Sequence, residues 1–310
     1  MIKDDDLSVV NLWPTELASE INQSYFKWSQ PNSNIVLDFH GDPSKAKLCV
    51  LSDGNHHMAL QEVVQKFLTV NPDVEEIFYS TTPPRILSQI VHTGGMQLGN
   101  LSLGIKPHIV ISPKNSLAQL QAESYIKQSR PFMNNRGCVL LVNNDNPKNI
   151  SGVADLLRDD IKLFISNPDT ESVSFNNYRD TLVSVCNSQG LNGELLKERL
   201  TNGHESVVHG EQIHHREALH SFLHGEVDVA ILYYHLALRY TRILPDNFAI
   251  VQLRDLADEN AAVKDVSENT IYAGMVGDGG EWGRPFFDFL FSQEVTDIYT
   301  HHGLLRSEGA

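Results

Sequence analysis

Short apolar runs alternate with helical patterns along most of the chain, and that alternation restricts the fold more than any other feature. Cys138–Val142 (CVLLV) is nearly continuously apolar, the pattern of a strand covered on both faces. Asn34–Phe39, Lys47–Leu51, Glu75–Tyr79, His108–Ser112, Lys162–Ile165, Val227–Leu232 and Thr270–Val276 read as further strands. Between them, His57–Leu68 carries Met58, Leu60, Val63, Val64 and Phe67 on one helical stripe. Helices are also predicted around Pro14–Trp28, Ile86–Val91, Leu117–Gln128, Tyr178–Cys186, Arg216–Leu223, Pro285–Phe291 and Glu294–Tyr299. Strands alternating with helices imply an α/β architecture with largely parallel sheets.

A chain of 310 residues exceeds one typical domain and suits two lobes of ordinary size. With 41% hydrophobic and 20% charged residues it can build its core without a metal or a disulfide staple. The net charge of −15 makes nucleic acid and anionic lipid poor partners for most of the surface. A small anion stays possible, because backbone dipoles in a cleft can hold one whatever the bulk sign. The three cysteines, Cys49, Cys138 and Cys186, form no CxxC pair, and at least Cys49 and Cys138 fit buried inert thiols. The start, MIKDDDLSVV, has neither a basic nor an apolar leader region, and no apolar run is long enough to span a membrane. A periplasmic location follows if a leader was removed upstream of this numbering, and a cytoplasmic one otherwise.

Catalytic signatures are missing. There is no GxSxG, HExxH or P-loop, and Gly277–Gly283 (GDGGEWG) lacks the context of a phosphate loop and reads as a surface loop. The chain is therefore expected not to be an enzyme and to need no cofactor. Two turns stand out instead. Gly54-Asn55-His56-His57 enters a helix, and asparagine is a favoured N-cap. Ser80-Thr81-Thr82-Pro83-Pro84 enters another, with proline near the first helical position. Helix N-termini present unsatisfied N–H groups and partial positive charge, so both turns suit an anion. Each residue also has a plainer role: Asn55 as a cap, Thr81 and Thr82 as turn residues, Tyr233 as a core tyrosine. Of the 14 histidines, two adjacent pairs, His56-His57 and His214-His215, fit either metal ligands or solvated surface groups.

Four segments in order resemble the type II periplasmic solute-binding proteins, and most closely their molybdate-binding branch. These are LCVLSDGNHHMALQEVVQKF (Leu48–Phe67), FYSTTPPRILSQI (Phe78–Ile90), LLVNNDNPKNISGVADLL through LFISNPDT (Leu140–Thr170) and REALHSFLHGEVDVAILYYHLA (Arg216–Ala237). The closing FFDFLFSQEVTDIYTHHGL (Phe286–Leu304) is similar to the family's final helix pair. The resemblance implies a two-lobed, hinged fold that closes on its ligand, with residues 1–136 plus 266–310 in the first lobe and 137–265 in the second. It places Asn55 where the family has a ligand-binding serine, with His56 beside it, and Thr82 or Thr81 at the second hydroxyl. His215 falls where a backbone N–H meets the ligand, and Tyr233 matches a tyrosine that donates its phenolic proton. Asparagine is larger than serine, a departure from a tetrahedral molybdate pocket. The implied function is binding of an oxyanion of the molybdate, tungstate or sulfate type for an ABC-type membrane transporter, by a monomer not inserted in the membrane. A cytoplasmic sensor with the same fold and a histidine-based metal-binding protein are the alternatives.

Overall fold

The computed structural model describes residues 38–98, 101–211, 213–255, 258–262 and 270–307. The predicted helix at 14–28 and the start of the strand at 34–39 lie outside the described residues. The chain divides into two compact units, one of Met1–Met133, Thr270–His301 and Arg306–Ala310, the other of Asn134–Asn269 and His302–Leu305.

In chain order the first unit opens with β1 (Phe39–His40), β2 (Leu48–Ser52), α1 (His57–Val70), β3 (Ile77–Thr81) and α2 (Pro84–Thr93). A small hairpin of β4 (Gly95–Leu98) and β5 (Leu101–Gly104) follows, then β6 (Ile109–Pro113), α3 (Lys114–Ala122) and β7 (Ile126–Asn134). The second unit holds β8 (Cys138–Asn143), β9 (Leu163–Ile165), α4 (Ser172–Ser188), α5 (Gly193–Thr201), β10 (Val207–His209), α6 (His214–Leu223) and β11 (Val229–Tyr233). It continues through α7 (Tyr234–Ile243), β12 (Phe248–Gln252) and a hairpin of β13 (Arg254–Asp255) and β14 (Asp258–Ala262). The chain then returns to the first unit with β15 (Thr270–Val276), α8 (Gly280–Leu290) and α9 (Gln293–His301), and ends on β16 (Leu305–Arg306).

The first unit is built on a seven-stranded sheet, ordered β1-β3-β2-β6-β15-β7-β16. Strand β2 runs parallel to both β3 and β6, so three strand ends and the helices after them collect on one side. On one face Cys49, Leu51, Phe78 and Val110 pack under α2 and α3 through Ile86, Leu87, Ile90, Leu117 and Leu120. Helix α1 buries Ala59, Leu60, Val63, Val64 and Phe67, with the Phe67 ring edge-on to Phe286 of α8 at 5.0 Å. Four of the five stripe residues are thus in the core; Met58 is half-buried and Ala59 takes the deeper place.

The second unit carries a five-stranded sheet, ordered β10-β9-β11-β8-β12. Strand β8 is apolar from Cys138 to Val142 because it lies inside this sheet, yet both of its neighbours, β11 and β12, run antiparallel to it. The expectation of largely parallel sheets is corrected here. Burial on both faces produces the apolar run, and it is blind to strand direction. In the first unit β15 is likewise antiparallel to β6.

Three local expectations also shift. The helix predicted to reach Gln128 stops at Ala122, because Ser124 takes a left-handed conformation (φ 69°) and Ile126 starts β7. Strand β3 begins at Ile77 rather than Glu75, which sits at φ 60° after a short 3₁₀ turn. The glycine-rich stretch predicted as a loop is half helix. Gly280 donates its N–H to the Asp278 carboxylate at 3.0 Å, and α8 starts there.

Candidate functional site

The carboxyl ends of β2, β3 and β6 finish on polar residues, although the strands leading to them are apolar. Ser52 and Asp53 end β2, Ser80, Thr81 and Thr82 end β3, and Ser112 lies near the end of β6; all six are buried. The register aligns Ser52 with Thr81 and with Ile111. One residue further, Thr82 N–H donates to the Ser52 carbonyl at 2.9 Å and Asp53 N–H to the Ile111 carbonyl at 3.0 Å. Asp53 therefore lies between Thr82 and Ser112, and residues in register share a sheet face.

Asn55 sits on a 3₁₀ turn, Gly54–His56, and is half-buried. Asp53 caps this turn by accepting the Asn55 N–H on Oδ1 at 3.0 Å. The Asn55 backbone donor is thus already taken by a neighbouring carboxylate.

The ring of His56 turns into the first unit and is fully buried. Its Nε2 lies 3.0 Å from Ser52 Oγ and its Nδ1 2.7 Å from the Tyr299 hydroxyl. Ser52 Oγ donates to the Asp53 carbonyl at 3.1 Å, so it accepts from His56, which places the imidazole proton on Nε2. Nδ1 is then the acceptor for Tyr299 O–H. This one-directional chain, Tyr299 to His56 to Ser52 to Asp53, ties helix α9 to the turn at the end of β2. Burial pushes the His56 imidazole down to about 3 and the Asp53 carboxyl up to about 6. Their 4.0 Å approach is accordingly no ion pair, since His56 stays neutral wherever Asp53 is ionised.

The two threonines differ. Thr81 Oγ1 donates to the Asp38 carboxylate and its N–H to the Asp38 carbonyl. Thr82 is fully buried, and its hydroxyl has no hydrogen-bond partner among the described residues; the same holds for Ser80 and Ser112. Leaving a buried hydroxyl unpaired costs about 1–3 kcal/mol, so three on adjoining strands call for a reason.

In the second unit His215 is the second residue of α6, and its carbonyl accepts the Tyr240 hydroxyl at 2.7 Å. The N-terminus of this helix is filled by the chain itself. Glu171 accepts the His214 N–H on Oε2 at 2.9 Å, and Glu217 accepts the N–H groups of Glu211 and Ile213. Burial, offset in part by that backbone bond and reinforced by Glu217, raises the Glu171 carboxyl to about 7. The His214 ring is buried between Phe164 and Tyr178, and burial pushes it down to about 3. Tyr233 ends β11, is buried, and accepts the Asn177 side-chain amide on its hydroxyl at 3.0 Å. Among the described residues no group of three or more His, Cys, Asp or Glu could hold a metal ion.

The sequence patterns thus brought Asn55, His56, Thr81 and Thr82 to one set of strand ends, and His215 and Tyr233 to the second unit. Asp53, Ser112, Tyr299 and Glu171 were missed. A polar residue closing an apolar strand is the signal that would have found Asp53 and Ser112.

Residues 48–305 match the model of a family described as bacterial extracellular solute-binding protein. No curated protein sequence matches the chain. Among solved structures, the sulfate-binding protein of Mycobacterium tuberculosis superposes with a TM-score of 0.60 at 18% identity, covering 83% of this chain and 85% of that one. The periplasmic molybdate-binding protein of Azotobacter vinelandii gives 0.56 at 11% identity, covering 84% and 100%. The substrate-binding protein of an ABC transporter from Agrobacterium tumefaciens gives 0.62 at 11% identity, covering 87% and 83%. At these identities the likeness concerns the fold.

Proposed function

The chain belongs to the family of bacterial extracellular solute-binding proteins, and from that premise we propose that it captures a small tetrahedral oxyanion, the class that includes molybdate, tungstate and sulfate. We further propose that it works outside the cytoplasm and hands the ion to an ABC-type membrane transporter. The observation that carries this reading is the buried, unpaired hydroxyl of Thr82, with those of Ser80 and Ser112, at the carboxyl ends of parallel strands. Ligands of α/β sheets bind at such ends, and an oxyanion takes hydrogen bonds from hydroxyls without needing a lysine.

In this proposal Thr82 is the ligand hydroxyl, since Thr81 is committed to Asp38. Asn55 acts through its side chain, because its N–H is bound to Asp53. His56 holds the turn from behind. In the second unit, taken by itself, His215 through its backbone and Tyr233 through its hydroxyl are the groups proposed to meet an anion.

A thermal-shift screen of the purified chain tests the reading. An oxyanion at a hundred times its dissociation constant adds about 2.7 kcal/mol, an easily visible rise in melting temperature. The rise should disappear in Thr82→Val, which keeps the side-chain shape and removes the hydroxyl. A panel of tetrahedral oxyanions that leaves the wild-type melting temperature unmoved refutes the assignment.

A further inference from the structure

We infer that His220 and His224, on the last turn of α6, form a surface site for a divalent transition metal, copper(II) first and nickel(II) after it. The pair lies at the other end of α6 from His215 and uses neither Thr82 nor Tyr233. It therefore stands whether or not the oxyanion reading does.

A histidine can ligate a metal only where a ring nitrogen is both accessible and unoccupied. His56 and His214 fail because their rings are buried. His92 is exposed, but its Nδ1 is bonded to the Ser88 carbonyl at 2.6 Å and its Nε2 to the Glu123 carboxylate. His220 and His224 meet both conditions. They are exposed and stand four residues apart, hence on one face of the helix. Their rings already lie side by side, with centroids 4.0 Å apart and planes at 31°. The His224 Nδ1 lies 2.8 Å from the His220 carbonyl oxygen. A carbonyl only accepts, so Nδ1 carries the proton and the lone pair of the neutral ring is on Nε2. Metal-ligating histidines are arranged in this way, with the second nitrogen donating to a carbonyl that fixes tautomer and orientation. Among the described residues no hydrogen bond occupies the Nε2 of His224 or either ring nitrogen of His220.

The backbone under the pair is closed and anchored. Glu226 N–H donates to the Ser221 carbonyl at 2.9 Å and Gly225 N–H to the Phe222 carbonyl at 3.0 Å, with Gly225 at φ 66°. These are the paired bonds of a Schellman ending. Phe222, buried and edge-on to Phe248 at 5.2 Å, pins the turn to the sheet. The carboxyl end of a helix also carries partial negative charge, which favours a cation. Either histidine alone would serve that dipole; two in chelating register, one with its tautomer fixed, are what point to a metal. Imidazole suits zinc, copper and nickel, and affinity at a given site peaks at copper(II). Among the described residues no third histidine, cysteine or carboxylate joins the pair, so water fills the remaining positions. Two nitrogens with water oxygens fit the tetragonal set of copper(II) and nickel(II), whereas structural zinc takes four protein donors. Magnesium takes oxygen ligands and has no place here.

The test is calorimetric titration of the whole, metal-stripped chain with Cu2+, Ni2+ and Mg2+, joined to electron paramagnetic resonance of the Cu2+ form. Cu2+ should bind more tightly than Ni2+, and Mg2+ should give no heat of binding. The Cu2+ spectrum should show coupling to two imidazole nitrogens. His220→Gln and His224→Gln lie on an exposed helix end and should melt like wild type. Each should weaken Cu2+ by about tenfold or more and reduce the coupling to one nitrogen. His92→Gln should leave both affinity and spectrum unchanged. Wild-type affinity and a two-nitrogen spectrum in both folded single variants overturn the inference, because Cu2+ then sits on other histidines. Mg2+ binding as tightly as Cu2+ overturns it as well.

Discussion

Replacing Tyr299 by phenylalanine removes one oxygen and leaves the rest of the ring in place, which makes it a clean probe of how the turn after β2 is held. The ring keeps its edge-on contact with Phe132 at 4.8 Å, so the packing term is nearly unchanged. What disappears is the O–H bonded to His56 Nδ1 at 2.7 Å, in a place where no water replaces it, since both rings are fully buried. An acceptor stranded in that way costs about 1–3 kcal/mol. For a domain of this size each kcal/mol lowers the melting temperature by about 2–4 °C, so a fall of roughly 2–12 °C is expected by scanning calorimetry at neutral pH. The bond and the nitrogen it satisfies belong together. In a His56→Leu background the Tyr299→Phe change should therefore cost less, with an interaction energy of about 1 kcal/mol or more in the double-mutant cycle. A Tyr299→Phe chain that melts within about 1 °C of wild type, with no interaction in the cycle, refutes the hydrogen-bonded chain from α9 to Asp53.

Three further outcomes follow from buried groups and one tight turn. Glu171 has its folded value raised from 4.5 to about 7, so its contribution to stability is whole below 4.5 and is lost as pH rises through 7; Glu171→Gln should gain on wild type across that interval by at most about 3 kcal/mol in denaturant melts. His56 and His214 are held at about 3 against an ordinary 6.5, so the folded chain should lose stability as pH falls between those values, and His214→Leu should soften that acid limb; an acid limb unchanged by the substitution sinks the assignment. Gly41 has φ 86° and its added Cβ would lie 2.3 Å from the Ile77 carbonyl oxygen, so Gly41→Ala should destabilise by about 1–3 kcal/mol in urea titrations.

The strands were legible because burial on both faces writes itself into composition, as in CVLLV and VAILY. Strand direction was not, since β8 would carry the same residues with parallel or antiparallel neighbours. Local patterns also fail where the chain reverses without glycine or proline. Ser124, at φ 69°, cuts a helical pattern short in a way its side chain does not announce. Helices α5 and α7 went unread, although Leu196 and Leu200 in the one and Leu236, Ala237 and Tyr240 in the other stand at helical spacing. At the site, Thr82 was visible because helix entry has local chemistry, a proline pair; Asn55 was singled out as a cap, but Asp53 caps that turn and His56 is the N-cap of α1. Tyr299 was invisible for the opposite reason. It meets His56 across 243 residues, and only the folding of the last helix onto the first unit brings them together.

Each unit also sets an acceptor of its own where a helix or turn begins. In the first, Asp53 takes the Asn55 N–H; in the second, Glu171 takes the His214 N–H. Backbone donors at helix starts are what an anion ordinarily seeks, and here two of them are engaged by carboxylates. Both carboxyl groups are raised by burial, to about 6 and about 7, which means that each unit resists further negative charge at that place. A ligand anion must therefore either displace a carboxylate from a backbone donor or bind through side-chain hydroxyls beside it. The unpaired hydroxyls of Ser80, Thr82 and Ser112 make the second course available in the first unit, with Asp53 left in place as an acceptor. At α6 no comparable set of unpaired hydroxyls is present among the described residues, so an anion drawn to the His214 N–H competes directly with Glu171. Protonation of Glu171 weakens that competitor, and Glu171→Gln mimics the protonated state at every pH. If the α6 N-terminus takes part in binding, the Gln variant should bind the oxyanion more tightly than wild type above neutral pH and equally well at about pH 5, where wild-type Glu171 is itself protonated. Equal affinity at both pH values would place the ligand away from α6 and leave anion capture to the strand ends of the first unit.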